Sequence, residues 1–165
     1  MKNQRMLDEL TELMRIDVSS GQETEIAEHL VKKLEQMGFA ITRDEAGATF
    51  GGVCGNILAV REGERDGVVC FCSHMDRVPG GIGIKPVEED GILRSSGDTI
   101  LAADDLSGVA AILEGVRQAI ESGKALPKLE ILFTVGEEAG LYGAKAFDVS
   151  LLTSKTMYVL DSPGR

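Results

Sequence analysis

Acidic residues and one histidine stand in four short clusters, each beside an apolar stretch of the sequence. The clusters are His74-Met75-Asp76, Asp104-Asp105, Glu137-Glu138 and Asp161. Zinc accepts imidazole nitrogen and carboxylate oxygen as ligands, and a carboxylate can bridge two ions about 3.5–4 Å apart. A further carboxylate that does not bind the ions could act as a general base toward a water molecule. These residue types therefore favour a hydrolytic metal site, provided that the fold brings the clusters together.

Each cluster taken alone also has a purely structural interpretation. Asp104-Asp105 could be favoured by the dipole of a following helix, and Glu137-Glu138 could form a solvated turn. Asp161, followed by Ser162-Pro163-Gly164, could be a plain turn. Carboxylates gathered at one sheet edge would, however, repel one another strongly without a cation. The four clusters together therefore favour a metal site over four separate structural features.

The elements that would position these clusters alternate between helices and strands. Helical spacing of apolar residues predicts helices around 6–14 and 26–37 and over 105–122 and 140–147. Strands are predicted over 56–60, 68–73, 129–135 and 157–160, with a hairpin over 87–95. Ser20 and Glu23 have the spacing of a capping box for the second helix. His29 lies in that helix among charged neighbours, which predicts a surface side chain and not a ligand.

This alternation predicts an α/β fold, a three-layer α/β/α sandwich around a mixed, largely parallel sheet. In open sheets of this class, sites gather at the carboxyl ends of the strands, where the clusters are predicted to fall. Cys70 and Cys72 alternate along one predicted strand and should share a face. With Cys54 they make three cysteines without CxxC spacing, so a reduced, cytoplasmic protein is the simplest expectation.

The composition argues against several classes of function. The net charge of −10 argues against binding to nucleic acid, which needs clustered basic residues. No apolar run reaches the roughly 18 residues of a membrane span, and the N-terminus lacks the apolar run of a signal peptide. A phosphate-binding loop is a poor alternative, because the glycines of 80–83 lead to Lys85-Pro86 and not to a helix. We therefore expect no nucleic acid or membrane partner.

Four segments of the sequence resemble a known family of two-zinc aminopeptidases, carboxypeptidases and deacylases. This family includes peptidase T, carboxypeptidase G and aminoacylase, and the chain is most similar to its peptidase T branch. The matching segments are SHMDRVPG at 73–80, LAADDLSG at 101–108, TVGEEAGLYGAK at 134–145 and YVLDS at 158–162. Their order and spacing match the family, so the resemblance covers nearly the whole chain and implies a zinc-exopeptidase-like fold.

The resemblance also implies a set of metal ligands. His74, Asp104 and Asp161 would hold a first zinc ion, and Asp104 would bridge to a second zinc ion that Glu138 also binds. Two zinc ions would therefore belong to one complete active site.

The remaining implied roles concern the reaction itself. Glu137 would be the general base that accepts a proton from water, and Asp76 would hold the ring of His74 through its second nitrogen. The implied substrate is a short peptide, in the peptidase T branch typically a tripeptide that loses its N-terminal residue.

The sequence departs from the family in two respects. Leu106 stands where the family usually has lysine, and the family continues into a lid or dimerisation domain before returning to complete the catalytic domain. We therefore expect residues 1–165 to be the N-terminal portion of that catalytic domain, without the lid and without the returning segment. The returning segment supplies a histidine for the second zinc, a part that neither His29 nor His74 can play.

Three expectations follow from that division. The first zinc position should be nearly complete and the second defective, so this portion alone should be poorly active or inactive. The full-length protein should be a homodimer. Residues 1–165 on their own could self-associate through an exposed sheet edge or apolar surface.

Two alternative functions stay open at this point. A related carboxypeptidase or deacylase would use the same residues on a different amide bond. A non-catalytic domain that binds metal or a partner would belong to another class, but it has no need of Glu137 beside Glu138.

Overall fold

The structure, a computed structural model, describes residues 4–161 as a five-stranded sheet with helices packed against it. The α-helices are α1 (Gln4–Met14), α2 (Thr24–Gln36), α3 (Ala103–Glu121) and α4 (Tyr142–Ala146). The strands are β1 (Ala40–Arg43), β2 (Ile57–Arg61), β3 (Val68–His74), β4 (Pro86–Glu89), β5 (Ile92–Ser95), β6 (Lys128–Thr134) and β7 (Met157–Val159). Two 3-10 helices lie at Ala46–Thr49 and Val149–Leu151. None of the helices described has both the length and the apolar character that crossing a membrane requires.

The sheet has the strand order β1-β2-β6-β3-β7. β6 pairs with β3 in parallel, with His74 opposite Thr134, and β3 pairs with β7 in parallel. The β1–β2 and β2–β6 pairs are antiparallel. The predicted α/β fold with a mixed sheet is confirmed, with three parallel strands on one side and two antiparallel strands on the other. The parallel strands bring the chain after His74, Thr134 and Val159 to one edge of the sheet.

One face of the sheet carries the main core. Alternate residues of β6 (Leu129, Ile131 and Phe133) belong to one buried cluster with apolar residues of the first three helices. Leu13 of α1, Leu30 and Leu34 of α2 and Leu106 and Leu113 of α3 are fully buried in it. Because side chains alternate along a strand, every second residue of β6 packs against the helical layer.

The opposite face is covered by a thinner layer around α4 and the 3-10 helix at Val149–Leu151. Leu132 and the two cysteines of β3 are buried on this face, so the prediction that Cys70 and Cys72 share a face is confirmed. Glu130 of β6 is also fully buried here, and its carboxylate accepts the backbone N–H groups of Thr153 and Ser154. This acid therefore ties the approach to β7 onto the sheet.

The structure corrects two local predictions. Ser20 and Glu23 do not form a capping box, since α2 has no side-chain cap and Glu23 bonds elsewhere. β1 was not predicted, because its four residues are mostly exposed and carry no apolar alternation. The predicted hairpin is confirmed as β4–β5, with Asp90 and Gly91 both at positive φ as a tight two-residue turn requires.

Arg77 secures the end of α1 beneath the site. Its side chain is almost completely buried, and the guanidinium donates to the backbone oxygens of Leu13, Met14 and Gly81. The last carbonyls of a helix lack partners within the helix, so the arginine gives the Met14 oxygen a donor and adds a second donor to the Leu13 oxygen, which also accepts the Ile16 N–H. The loop that follows His74 is thereby anchored to the helical layer.

Candidate metal centre

His74 is the last residue of β3 and is 2% exposed. Its Nδ1 lies 3.1 Å from the backbone oxygen of Asp76 and 3.3 Å from Oδ1 of the same residue. An imidazole whose Nδ1 is held in this way presents Nε2 in a fixed direction. Asp76 therefore occupies the place that the sequence predicted for it, behind the ring.

Asp104 and Asp105 adjoin in sequence but differ in what they contact. Neither has helical backbone angles, although both fall within α3. Asp105 is buried, and its carboxylate accepts the N–H of Gly108 at 3.1 Å and the hydroxyl of Ser73 at 2.6 Å. It therefore caps the first regular turn of α3, as the dipole interpretation required of an acid at a helix start. Asp104 instead places Oδ1 3.3 Å from Nε2 of His74.

The other acidic residues reach the same nitrogen of His74 from β7 and β6. Oδ1 of Asp161, two residues after β7, lies 3.7 Å from Nε2, and Oε2 of Glu137, in the turn after β6, lies 4.0 Å from it. Glu138 joins Glu137 and His74 in a second group whose candidate ligand atoms lie within 4.8 Å of one another. The structure thus brings all the predicted site residues to one edge of the sheet.

The distances from His74 to Asp104 and to Asp161 are compatible with a shared metal ion, and the three candidate ligand atoms lie within 4.8 Å of one another. Zinc ligands at 2.0–2.2 Å in a tetrahedron lie about 3.3–3.6 Å from one another. The distances from Nε2 of His74 to the two aspartate oxygens, 3.3 and 3.7 Å, are close to that edge length. One nitrogen and two carboxylate oxygens also form a donor set that zinc accepts. The residues present therefore fit the first ion that the sequence predicted.

The protonation of the site reflects crowded negative charge. Burial and the neighbouring carboxylates raise the pKa of Glu137 and of Glu138, against the opposing effect of His74. Burial alone would lower the pKa of His74, but the hydrogen bond and charge of Asp76, with the charges of Asp161 and Glu137, raise it to about 9. A bound cation would relieve the repulsion among the carboxylates and displace the proton from Nε2.

An apolar groove of about 230 Å³ opens beside the acidic cluster. Its polar end is formed by His74, Glu137 and Asp161, and its apolar wall includes Leu132 and Phe147. A peptide side chain could lie in this groove while its amide bond faces the carboxylates.

His29 is half-buried and not a free surface residue. Its Nε2 lies 3.8 Å from Oε1 of Glu9 and 3.9 Å from Oε1 of Glu12. The ammonium of Lys33 already stands 2.7 Å from Glu9 and 2.8 Å from Glu12. A cation of the chain therefore contacts both glutamates, whose candidate ligand atoms lie within 4.8 Å of each other and of one on His29. That His29 is not a metal ligand stays a prediction.

The sequence did not predict the residues that hydrogen-bond to the candidate site residues and to the segment that carries them. Ser20 donates its hydroxyl to Asp76, Glu23 accepts the N–H of Gly136, and Ser73 donates to Asp105. The Ser20–Glu23 spacing was noticed but interpreted as a helix cap. Ser73, directly before His74, carried no pattern that could have separated it from an ordinary strand residue.

The fold and the clustered acidic residues define an α/β domain with a candidate metal site. The model of Peptidase family M28 matches residues 56–162, a stretch that contains every predicted site residue. The chain therefore belongs to peptidase family M28.

Individual relatives agree with this assignment. The Bacillus subtilis protein YqjE is 38% identical over all of this chain and 45% of its own length. The crystal structure of the aminopeptidase PepT from Bacillus cereus matches 98% of this chain with a TM-score of 0.94 and 40% identity, and that of a tripeptidase from Staphylococcus aureus matches the same share with a TM-score of 0.93 and 34% identity. This chain covers 44% of each of those two chains. The resemblance to the peptidase T branch is confirmed, and the chain spans less than half the length of these relatives.

Proposed function

We propose that this chain supplies most of the metal site of a two-zinc aminopeptidase that cleaves short peptides. The main observation behind this proposal is that Asp104 and Asp161 lie 3.3 and 3.7 Å from Nε2 of His74, distances that zinc ligands can have. Relatives described as an aminopeptidase and as a tripeptidase, at 40% and 34% identity, support the substrate class. The zinc identity, the second ion held by Asp104 and Glu138, and a homodimeric, cytoplasmic full-length protein stay predictions.

Glu137 is the residue that moves a proton in this proposal. When bound, zinc lowers the pKa of a coordinated water and stabilises the oxyanion formed from the peptide carbonyl. The Glu137 carboxylate, 26% exposed and 4.0 Å from His74, accepts the proton of the attacking water and returns it to the leaving amine. Burial raises the pKa of Glu137, which favours its holding the proton between acceptance and release.

Zinc titration into metal-free protein by calorimetry tests the proposal, with His74→Ala and Glu137→Gln compared against the wild type. We expect close to one zinc per chain, no binding by His74→Ala, and unchanged stoichiometry for Glu137→Gln. Zinc binding that survives in His74→Ala would contradict the ligand assignment. Two tight sites per chain would contradict the expected defect in the second position.

Hydrolysis of a tripeptide by the same proteins separates a ligand from a base. Any turnover of the wild type should fall about 10²–10⁴-fold in Glu137→Gln, the usual contribution of a general base, while zinc stays bound. Equal and measurable turnover in the two proteins would reject Glu137 as the base.

A further inference from the structure

Four consecutive backbone N–H groups after β6 donate to side chains from other parts of the chain. Those of Val135 and Gly136 donate to Oδ1 of Asn56 at 3.1 Å and to Oε1 of Glu23 at 3.0 Å. Those of Glu137 and Glu138 donate to the two carboxylate oxygens of Asp76 at 2.9 and 3.1 Å. The segment that carries both glutamates is therefore held by side chains along its whole backbone.

Asn56 and Asp76 lie next to strands of the sheet, whereas Glu23 reaches the segment from the helical layer. Glu23 immediately precedes α2, is 0% exposed, and also accepts the N–H of Gly21 at 2.8 Å through the same oxygen. A buried carboxylate carries a large desolvation penalty. Because α2 has no side-chain cap, helix capping does not account for an acid at this position.

The chain turns at Gly136, the residue whose N–H donates to Glu23. Gly136 has φ 59°, and a Cβ there would lie 2.6 Å from the ring of Phe50. The backbone direction at this point decides where the next two side chains are placed. The Glu23 carboxyl oxygen that accepts the Gly136 N–H at 3.0 Å fixes that direction.

We propose that Glu23 is a positioning residue for Glu137 and Glu138. Its carboxylate holds the peptide N–H of Gly136, so that the general base and the predicted ligand of the second zinc face His74. The functional meaning of this role rests on the proposed function, whereas the positioning itself does not.

Hydrogen exchange and zinc titration on Glu23→Ala and Glu23→Gln test the proposal. Glu9→Gln is the matched control, since Glu9 is also buried (4% exposed) but contacts Lys33 and Arg117 and not the site. In Glu23→Ala the amide of Gly136 should exchange at least about tenfold faster than in the control, after both are corrected for global stability. Zinc affinity should stay close to that of the control, because the ion that this chain is expected to bind is held by His74, Asp104 and Asp161, none of which bonds to Glu23.

The conservative variant separates positioning from simple loss of stability. Glu23→Gln keeps an acceptor of the same length, so its exchange rate at Gly136 should lie between those of the wild type and Glu23→Ala. If Glu23→Ala does not fold, the comparison of Glu23→Gln with Glu9→Gln decides. Equal exchange at residues 136–138 in those two variants would overturn the proposal. Absence of zinc binding by the wild type would reject the proposed function but leave the exchange result as the test of Glu23.

Discussion

At the scale of single residues, adjacent acids with the same chemistry have different functions. Asp105 turns into the protein and caps α3, whereas Asp104, with a side chain 73% exposed, faces His74. Asp76 supports the site without joining either group of candidate ligands, because four donors converge on its carboxylate: the His74 ring, the Ser20 hydroxyl and two backbone N–H groups. These hydrogen bonds lower the pKa of Asp76 although burial opposes the shift.

Asp76→Asn should weaken zinc binding about 10–100-fold. The amide nitrogen of asparagine cannot accept a hydrogen bond. Either the Ser20 hydroxyl and the Glu138 N–H, which share Oδ2, or the Glu137 N–H and the His74 ring, which share Oδ1, would therefore lose their acceptor. Calorimetric zinc titration measures the change, and the same substitution at the exposed Asp98 is the control. Affinity equal to that of Asp98→Asn would show that Asp76 does not orient the ligands.

The sequence allowed prediction of the residues with site chemistry but not of those that support them. His74, Asp104, Glu137 and Asp161 could be found because each follows an apolar run that predicts a strand or precedes a predicted helix. Glu23 could not be assigned, since its partner Gly136 is 113 residues away in the chain. A spacing pattern reports only local neighbours, and here the local interpretation, a helix cap, was wrong.

At the scale of elements, the packing of α3 against the strands determines where Asp104 lies. Gly108, in the first turns of α3, is the point of closest approach: a Cβ there would lie 2.4 Å from both Asp105 Oδ1 and the backbone oxygen of Leu160. At Gly115, two turns later in the same helix, a Cβ would meet no heavy atom within 4 Å among the described residues outside the helix backbone. Close packing therefore leaves no room for a larger residue at Gly108, whereas the structure leaves room for one at Gly115.

Gly108→Ala and Gly115→Ala should change the free energy of unfolding in opposite directions. Gly108→Ala should destabilise the protein by about 1–3 kcal/mol, because Asp105 and the end of β7 must move. Gly115→Ala should stabilise it by about 0.5–1 kcal/mol through helix propensity. Urea unfolding of both variants measures the two changes, and a stabilising effect of Gly108→Ala would contradict the close packing described.

The long apolar elements were predictable and the short ones were not. α3 and β6 were predicted within a few residues, because a buried stripe or a continuous apolar run leaves a clear periodicity. β1 has only four residues and gains its hydrogen bonds from β2, so its strand conformation depends on tertiary pairing. Glu130 breaks the apolar run of β6 for a reason that is visible only once residues 153–154 are placed beside it.

At the scale of the whole molecule, the acids of this chain, whose net charge is −10, have two kinds of surroundings. Those at the sheet edge lie close to one another, whereas others form ion pairs. Away from the sheet edge, α1, α2 and α3 are joined by ion pairs in which Glu9 contacts Lys33 and Arg117. Burial alone would raise the pKa of Glu9, but its contacts with His29, Lys33 and Arg117 lower it to about 2.

Glu9 should therefore make the stability depend on pH in the acid range. A carboxylate whose folded-state pKa is depressed stabilises the fold above its unfolded value and loses that contribution as the pH falls. The loss should run from about pH 4.5 to about pH 2 and amount to ~3 kcal/mol. Urea unfolding across this range should show a flatter profile for Glu9→Gln than for a variant at the exposed Glu45. Identical profiles would contradict the assigned pKa.

The free edge of the sheet should promote self-association. Within residues 4–161, β7 pairs only with β3, and Val159 on it is 58% exposed. Val159→Lys should weaken concentration-dependent association in sedimentation velocity experiments. Val53→Lys is the matched control, because Val53 is equally exposed but lies outside the sheet. If Val159→Lys associates as strongly as the wild type, the contact does not involve the β7 edge.

The parallel pairing of the central strands has a consequence for folding kinetics. Cys70 pairs with Met157, and His74 pairs with Thr134, so the chain must close long loops before either ladder forms. Contacts between residues so distant in sequence slow the search for the native topology. The residues clustered around His74 come from segments that are brought together by the pairing of β3 with β6 and β7. We therefore expect the site to form only once these strands are aligned, so a collapsed chain with unaligned strands would contain the candidate ligands without the site.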